Sequence, residues 1–260
     1  MTRALRAVGL PALTLAVVIG AWTVASHVFK VPNYILPRPE AVLLALHGGY
    51  VEGLFWPHFA FTLTSLALGS LVGCSAAFIL AALFAESRTI ERLLQPYVVA
   101  LQSMPKVALA PLIIVWFGFG IESKIVMVAL ICFFPVFINT VVGLKAANPG
   151  LIDLMRAFSA SRWEIFFRIK VPSAAGHVFA GLQIAVVLGL IGAVVAEFVS
   201  STRGLGYLIN AAAVNLDTHV MFAALFSLAA LGVAGSHLVR LLHRKLVFWD
   251  APRSETIVTE

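Results

Sequence analysis

The sequence predicts an all-α membrane protein with six transmembrane helices, and its composition, its apolar runs and the placement of its charges all lead to this fold class. Of the 260 residues, 61% are hydrophobic and 12% are charged, whereas a soluble domain is about 45–50% apolar and about 25% charged. The mean hydropathy is +0.99, so most of the surface must face lipid. These values exclude a soluble enzyme, a disordered chain and a disulfide scaffold.

Six apolar runs are each long enough to cross the hydrocarbon core as a helix that rises about 1.5 Å per residue. In chain order they are Leu10–Phe29, Phe59–Phe84, Leu93–Phe119, Ile125–Leu144, Val178–Val199 and His219–Leu238. Arg3 and Arg6 precede the first run, as basic residues do in a signal peptide. The length of this run and the five runs that follow it favour an uncleaved helix. The predicted division is an N-terminus over 1–9, a transmembrane domain over 10–242 and a tail over 243–260, polar after Trp249.

The Lys and Arg residues predict the orientation of these spans. Thirteen of the 18 lie on the side that holds both termini, four lie on the other side, and Lys106 lies within a span. Because cytoplasmic loops carry the excess of positive charge, both termini are predicted to be cytoplasmic in a multi-pass protein of the cell (inner) membrane. The net charge of +6 would suggest nucleic acid for a soluble protein, but its placement at span ends indicates a lipid bilayer instead.

The runs differ in their helix-packing and helix-breaking residues. Gly69 and Gly73 in the second run have the small-xxx-small spacing that lets helices approach closely. Pro105 and Pro111 are predicted to break the third run, since a proline frees backbone carbonyls that need protein or a cavity alongside. Pro39, outside the membrane, suits the first turn of a short surface helix.

No motif of a nucleotide-binding or catalytic domain occurs in the chain. The sequence lacks G-x-x-x-x-G-K-[ST], H-E-x-x-H and G-x-S-x-G. The seven histidines lie at span ends or in loops without the spacing of metal ligands, and Cys74 and Cys132 lie inside apolar runs as buried thiols. We therefore predict no catalytic residue, no metal site and no cofactor bound by this chain.

The stretch between the fourth and fifth runs, over 145–176, is predicted to hold a short amphipathic helix. Ser161 and Glu164 form an S-x-x-E capping box, which marks a helix start. Ile165, Phe166 and Ile169 follow at roughly helical spacing. Such a helix with exposed aromatic side chains either enters a groove on a partner or lies on the lipid surface, and these residues alone leave both readings open.

Counted back from Pro172, this stretch has the spacing of a known motif. Asp153 stands at an acidic position, Ser159 at a glycine position, and Ile169-Lys170-Val171-Pro172 at a closing I-x-L-P. The loop resembles the "EAA" loop of the permease subunits of binding-protein-dependent ABC importers. The Ala160-Ser-Arg-Trp163 run is similar to the subgroup that imports nitrate, taurine, aliphatic sulfonates and related small molecules.

Four flanking segments resemble that subgroup as well, so that the resemblance covers about residues 30–250. They are Leu36-Pro37-x-Pro39, Ala110-Pro-Leu-Ile-x-x-Trp-Phe-Gly118, Val194-Val-Ala-Glu197 and Gly204-Leu-Gly-Tyr-Leu-Ile209. The resemblance implies a type I ABC importer-like permease with a cytoplasmic coupling helix. Its implied partners are an ABC ATPase subunit that binds ATP and Mg, an extracytoplasmic substrate-binding protein and a second permease copy in a homodimer.

The resemblance also implies which residues couple the permease to its ATPase. Trp163, Phe166 and Phe167 are expected to be rigid anchors. The full set is Asp153, Ser159, Ser161, Arg162, Trp163, Glu164, Phe166, Phe167, Arg168 and Pro172. Two departures stand out, since Asp153-Leu-Met replaces E-A-A and Ser159 replaces the glycine. We expect the turn at Ser159 to survive, although a positive φ would strain a serine.

Ionisable groups inside spans mark a substrate pathway, because their burial is costly. Lys106, deep in the third run, either attracts an anionic solute or serves as a snorkelling or structural cation. For Glu197 a structural role is favoured. The other polar groups of the predicted pathway are Gln102, Ser103, Asn139 and Gln183. The expected cargo is a small anion of the sulfonate, nitrate or carboxylate type; the alternatives are a neutral vitamin precursor and an ion-coupled secondary transporter.

Overall fold

Within residues 2–29 and 31–249, which the computed structural model describes, the chain forms eleven α-helices and no strand. A 3₁₀ turn, Lys106–Leu109, and a π-helical turn, Phe166–Lys170, join two pairs of them. The helices are α1 Thr2–His27, α2 Pro39–Val51, α3 Trp56–Glu86, α4 Arg88–Ser103, α5 Ala110–Phe117, α6 Ile121–Lys145, α7 Pro149–Ala157, α8 Arg162–Ile165, α9 Val171–Ser200, α10 Leu205–Val214 and α11 Thr218–Leu246. The tail from residue 250 on lies outside the described residues.

The core is the contact of α3, α6 and α9, and small side chains bring these helices together. Buried small residues recur every four positions: Ser65, Gly69, Gly73, Ala77 and Ala81 on α3, and Gly181, Ala185, Gly189 and Ala193 on α9. A Cβ on Gly69 would lie 2.5 Å from the Cβ of Val128, and one on Gly73 would collide with the backbone of Ala129. The close approach predicted from Gly69 and Gly73 is therefore confirmed.

Four helices are long and apolar enough by themselves to cross a membrane: α3, α6, the continuous helix Arg162–Ser200, and α11. A fifth span results if α4 and α5 with the turn between them are counted as one, although they are bent by 88°. The third predicted run, Leu93–Phe119, is therefore not one helix. In α1 the described apolar stretch is the shorter Ala12–His27.

The break in the third run is due to Pro105 and not to Pro111. Met104, before Pro105, adopts an extended conformation with φ −70° and ψ 137°, as is usual for a residue that precedes proline. Pro111 instead lies in the first turn of α5, where its missing N–H costs nothing. The two prolines thus end one helix and begin the next.

The helix predicted over Val178–Val199 is much longer and begins at Arg162. The predicted short helix with Ile165, Phe166 and Ile169 is accordingly the start of this long helix and not a separate element. Pro172 has no N–H for the carbonyl of Arg168, and the wider π turn directly before it, in which the N–H of Val171 donates to the carbonyl of Phe166, lets the helix continue.

The remaining helices lie around this core. Pro39 begins α2, as predicted, and Val42 of α2 packs with Phe55 and Ala223. The α1 helix is attached mainly through Trp22, whose ring lies 5.8 Å from that of Phe222 in α11. The many large apolar side chains exposed on all these helices suit a lipid environment.

Candidate functional site

The segment between α6 and α9 contains two helices and a tight turn, called here the α7–α8 loop (residues 146–165). Asn148 caps α7, because its side chain accepts a hydrogen bond from the N–H of Gly150 at 2.9 Å. The helix ends in a Schellman turn. Its bonds run from the N–H of Ser159 to the carbonyl of Arg156 and from the N–H of Ala160 to the carbonyl of Met155. The turn expected at Ser159 is therefore present.

Ser159 occupies the left-handed position of this turn with φ 58°. Glycine is the usual residue there, since a Cβ in the left-handed region costs about 1–2 kcal/mol. The strain expected for a serine with positive φ is thus present, and the remaining hydrogen bonds of the loop must offset it.

The predicted capping box begins α8 two residues later. The N–H of Glu164 donates to the hydroxyl of Ser161 at 3.3 Å, and the N–H of Ser161 donates to the Glu164 carboxylate at 2.8 Å. Both bonds satisfy N–H groups that a helix start leaves without a partner. The box therefore fixes the direction in which the chain re-enters the bundle.

The α7 helix presents an apolar face whose side chains are about half exposed or more. Leu151, Leu154 and Phe158 lie on one face at i, i+3 and i+7, with 49%, 53% and 76% of their surfaces exposed. This apolar face of α7 was not among the features predicted from the sequence. The signal was present as an Asn-Pro helix start followed by apolar residues at helical spacing.

The three aromatic residues after the capping box do not share one environment. Trp163 and Phe167 are exposed by 71% and 61%, and their rings stack at 6.0 Å. Phe166 is only 5% exposed and packs with Leu144 and Ala174. Contrary to expectation, Phe166 is therefore a core residue, because its ring packs against the end of α6 and the start of α9.

The polar residues predicted for this loop lie at its surface and at its base. Asp153 and Arg156 form an exposed ion pair at 3.0 Å, and Arg162 and Arg168 are exposed. Pro172 lies inside the long helix, where its carbonyl accepts a hydrogen bond from the indole of Trp249 at 3.2 Å.

Two ion pairs hold the base of the loop against the neighbouring helices. Lys170 pairs with Glu86 at the end of α3, and Lys145 pairs with Glu91 in α4. These pairs join the chain on both sides of the loop to the α3–α4 corner.

The predicted pathway residues are only partly brought together. Lys106 lies in the 3₁₀ turn after the break, with its Nζ 3.0 Å from the carbonyl of Gln102 and 4.5 Å from the centre of the Phe134 ring. Among the described residues no carboxylate lies within ion-pair distance of this lysine. Gln102 and Ser103 end the preceding helix, so these three residues share the break.

The other predicted pathway residues lie elsewhere. The Asn139 side chain donates to the carbonyl of Pro135 at 2.8 Å, within its own helix. Gln183 is half-buried on α9. No hydrogen bond in the described structure links either residue to Lys106.

Glu197 is 1% exposed and belongs to a buried hydrogen-bond network. Its carboxylate accepts hydrogen bonds from the hydroxyl of Thr62 at 2.8 Å and from the N–H of Gly206 at 2.7 Å. The same hydroxyl accepts from the N–H of Leu205 at 2.8 Å. Glu197 thereby connects the start of α10 with α3 and α9, which suits the structural role favoured from the sequence.

Lys124 is a buried cation that sequence reasoning placed in an outer loop. It is 0% exposed, and its Nζ donates to the carbonyl of Ser200 at 2.7 Å and to that of Phe119 at 2.9 Å. A cation is favourable where helix-terminal carbonyls lack partners, and Ser200 ends α9. Nothing in the local sequence distinguishes this lysine from a solvent-exposed one.

Comparison with known proteins gives one family. Residues 69–248 match the model of the family described as "Binding-protein-dependent transport system inner membrane component". The matched region contains α4 to α11 and therefore the whole α7–α8 loop.

Curated relatives are similar over nearly the full chain. One is a riboflavin transport system permease protein of Chloroflexus aurantiacus, 38% identical over 94% of this chain and 91% of the relative. A formylaminopyrimidine transport permease protein of Halalkalibacterium halodurans is 32% identical over 92% and 95%. A putative aliphatic sulfonates transport permease protein of Bacillus subtilis is 32% identical over 90% and 85%.

Proposed function

This chain belongs to the family of binding-protein-dependent transport system inner membrane components, and we propose that it moves a small anionic solute into the cytoplasm. It is the non-catalytic permease component of an ABC importer for small solutes, of the aliphatic-sulfonate type, and a separate ATPase hydrolyses the ATP. In our proposal that ATPase, with its ATP and Mg, docks on the cytoplasmic α7–α8 loop.

The unpartnered apolar face of α7 is the observation that carries the docking proposal. Leu151, Leu154 and Phe158 present an exposed surface on a helix that lies outside the long spans. Trp163 and Phe167 add two exposed aromatic side chains after the turn. Helices with an apolar stripe enter grooves on partners, and large aromatic side chains provide most of the energy of such contacts. The coupling element of our proposal is therefore the pair α7 and α8.

Co-purification with the ATPase subunit tests this proposal. The two chains are co-expressed and extracted in mild detergent, and we expect them to be recovered in equal amounts. Phe158→Ser should remove most of the ATPase. Phe29→Ser is the matched control, because Phe29 is equally exposed, at 75% against 76%, but lies after α1 on the opposite side of the predicted bilayer and outside the surface proposed for the second copy. Full ATP-driven uptake by the permease without an ATPase would contradict the proposal.

The second copy of this chain in our proposal covers α4 and α5. None of the 16 residues of α4 is buried, and Val115, Trp116 and Phe119 in and after α5 are exposed by 80%, 68% and 77%. In this homodimer the helix break at Lys106 lies near the contact between the two copies. We further propose that α1 is the sixth span and that both termini lie in the cytoplasm. A substrate-binding protein delivers the solute from outside.

The anionic character of the solute rests on Lys106, which has no carboxylate partner among the described residues. A second candidate, a neutral vitamin or vitamin precursor, is favoured by the riboflavin and formylaminopyrimidine permeases among the relatives. The alternative from another class of transporter is an ion-coupled secondary transporter. Its uptake would stop when an uncoupler is added, whereas ATP-dependent uptake would continue.

Uptake into proteoliposomes that contain the permease, its ATPase and its binding protein separates the two kinds of solute. The cargo is first identified by a thermal-shift screen of the purified binding protein against sulfonates, carboxylates and vitamin precursors. For an anion, Lys106→Met should slow uptake and Lys106→Arg should retain most of it. Unchanged uptake in Lys106→Met, with ATPase co-purification intact, would remove the support for an anionic cargo.

A further inference from the structure

We infer that the cleft beneath α3 binds the phosphate group of an anionic phospholipid headgroup. The cleft has a volume of about 500 Å³ and lies between the end of α3 and the α7–α8 loop. Its charged lining consists of Glu86 from α3 together with Arg156, Arg162 and Lys170. The inference rests on the proposed function only in taking this side of the molecule as the cytoplasmic membrane surface.

Among the described residues that line the cleft, one cation has no carboxylate partner. Arg156 already pairs with Asp153, and Lys170 pairs with Glu86. In the part of the chain that the structure describes, no carboxylate lies within ion-pair distance of Arg162. An arginine fork binds phosphate oxygens through two parallel hydrogen bonds, so Arg162 is the primary phosphate contact.

A second, smaller cleft that Arg162 also lines favours a lipid over a free phosphate ion. It has a volume of about 170 Å³ and is lined by Glu86, Arg162, Trp163 and Phe166. Its wall is mainly aromatic, which suits the glycerol and first acyl carbons of a lipid, and tryptophan is enriched at the headgroup level of membranes. Arg162 thus lines both a more polar cleft, which suits the phosphate, and a more apolar one, which suits the adjoining carbons of a lipid.

The larger cleft lies on a different side of α7 from the apolar face that docks the ATPase in our proposal. At about 100° per residue, Ile152 and Arg156, which line the cleft, lie roughly 140° around α7 from the exposed Leu151, Leu154 and Phe158. The opposite wall of the cleft is the end of the α3 span. The cleft therefore opens at the membrane surface, where anionic lipids attract basic side chains.

The test is lipid-dependent stabilisation of the full-length chain in neutral detergent micelles. Phosphatidylglycerol is added, with phosphatidylcholine and inorganic phosphate as parallel arms, and the midpoint of thermal unfolding is followed. We expect only phosphatidylglycerol to raise the midpoint, because a ligand stabilises the folded state to which it binds. Arg162→Gln should weaken the apparent lipid affinity by about fivefold, and Arg162→Lys should recover most of it.

Arg168→Gln is the matched control, since Arg168 is an exposed arginine of the same segment that lines neither cleft. Equal losses in Arg162→Gln and Arg168→Gln would overturn the site, as would an equal effect of phosphatidylcholine. Stabilisation by inorganic phosphate as large as that by the lipid would overturn the lipid assignment. If Arg162→Gln does not fold, Lys170→Gln takes its place in the same comparison.

Co-purification with the ATPase is measured in the same variants, so that the two proposals can fail separately. If Arg162→Gln loses the ATPase and keeps its full response to phosphatidylglycerol, the cation belongs to the protein contact and the lipid site is overturned. If Arg162→Gln loses the lipid response and keeps the ATPase, the lipid site is supported.

Discussion

Ser159 shows how a single residue can depart from a motif while the backbone of the motif is kept. Its φ of 58° lies in the left-handed region, and both bonds of the Schellman turn are formed around it. The conformation is imposed by the flanking helices, α7 on one side and the capping box of α8 on the other. A side chain here therefore costs free energy without changing the path of the chain.

We predict that Ser159→Gly stabilises the protein by about 1 kcal/mol, because it removes the strain of a Cβ in the left-handed region. Ser159→Val should destabilise it, since a β-branched residue is disfavoured most strongly there. Thermal unfolding in detergent measures both variants. A lower midpoint for Ser159→Gly than for the wild type would show that the hydroxyl contributes more than the backbone strain costs.

The helix that begins at Arg162 places two of its aromatic residues in different surroundings. Phe166 belongs to the core with Leu144 and Ala174, whereas Trp163 remains exposed. Phe166 lies about one turn further along this helix, where it packs against the end of α6 and the start of α9, whereas Trp163 lies in the first turn beside the exposed loop. Substitutions of the two residues should therefore have different consequences.

We predict that Phe166→Ala lowers stability by about 3 kcal/mol, the usual cost of truncating a buried phenylalanine. Trp163→Ala should change stability by less than about 0.5 kcal/mol but weaken ATPase binding by about 2 kcal/mol, as for a residue that provides much of a contact's energy. Thermal unfolding and ATPase affinity are measured for each. The prediction fails if Trp163→Ala unfolds the chain or if Phe166→Ala leaves the unfolding midpoint unchanged.

The contact between α3 and α6 gives a prediction for the packing of two elements. A methyl group on Gly73 would collide with the backbone of Ala129, whereas nothing lies within 4 Å of a Cβ on Gly20 in α1. Gly73→Ala should therefore destabilise the bundle by about 1–3 kcal/mol through overpacking, and Gly20→Ala should not. Equal unfolding midpoints for the two variants would mean that α3 and α6 can separate without cost.

For the whole molecule, the testable property is its orientation in the membrane. Glu52, after α2, and Asp153, in α7, are both exposed and lie on opposite sides of the predicted bilayer. In a background without Cys74 and Cys132, a membrane-impermeant thiol reagent should label Glu52→Cys in intact cells and Asp153→Cys only after permeabilisation. The reverse pattern would overturn the orientation that the charge distribution predicts.

An N-terminal tag in the same cells tests whether α1 is a sixth crossing. Such a tag should be protected until the cells are permeabilised, as Asp153→Cys is, because one crossing separates it from Glu52. A tag that is accessible in intact cells would leave α1 on the outer surface and reduce the number of spans to five.

The membrane class, the six apolar runs and the capping box at Ser161 follow from the sequence itself, since they depend on hydropathy or on local hydrogen bonds that neighbouring residues set. The turn at Ser159 was expected from the resemblance to the EAA loop. Only the tertiary structure decided that Phe166 and Lys124 are buried and that the third run bends by 88° at Pro105. In a bilayer the lipid-facing and core-facing sides of a helix are equally apolar, so burial depends on which helices meet, and hydropathy does not record it.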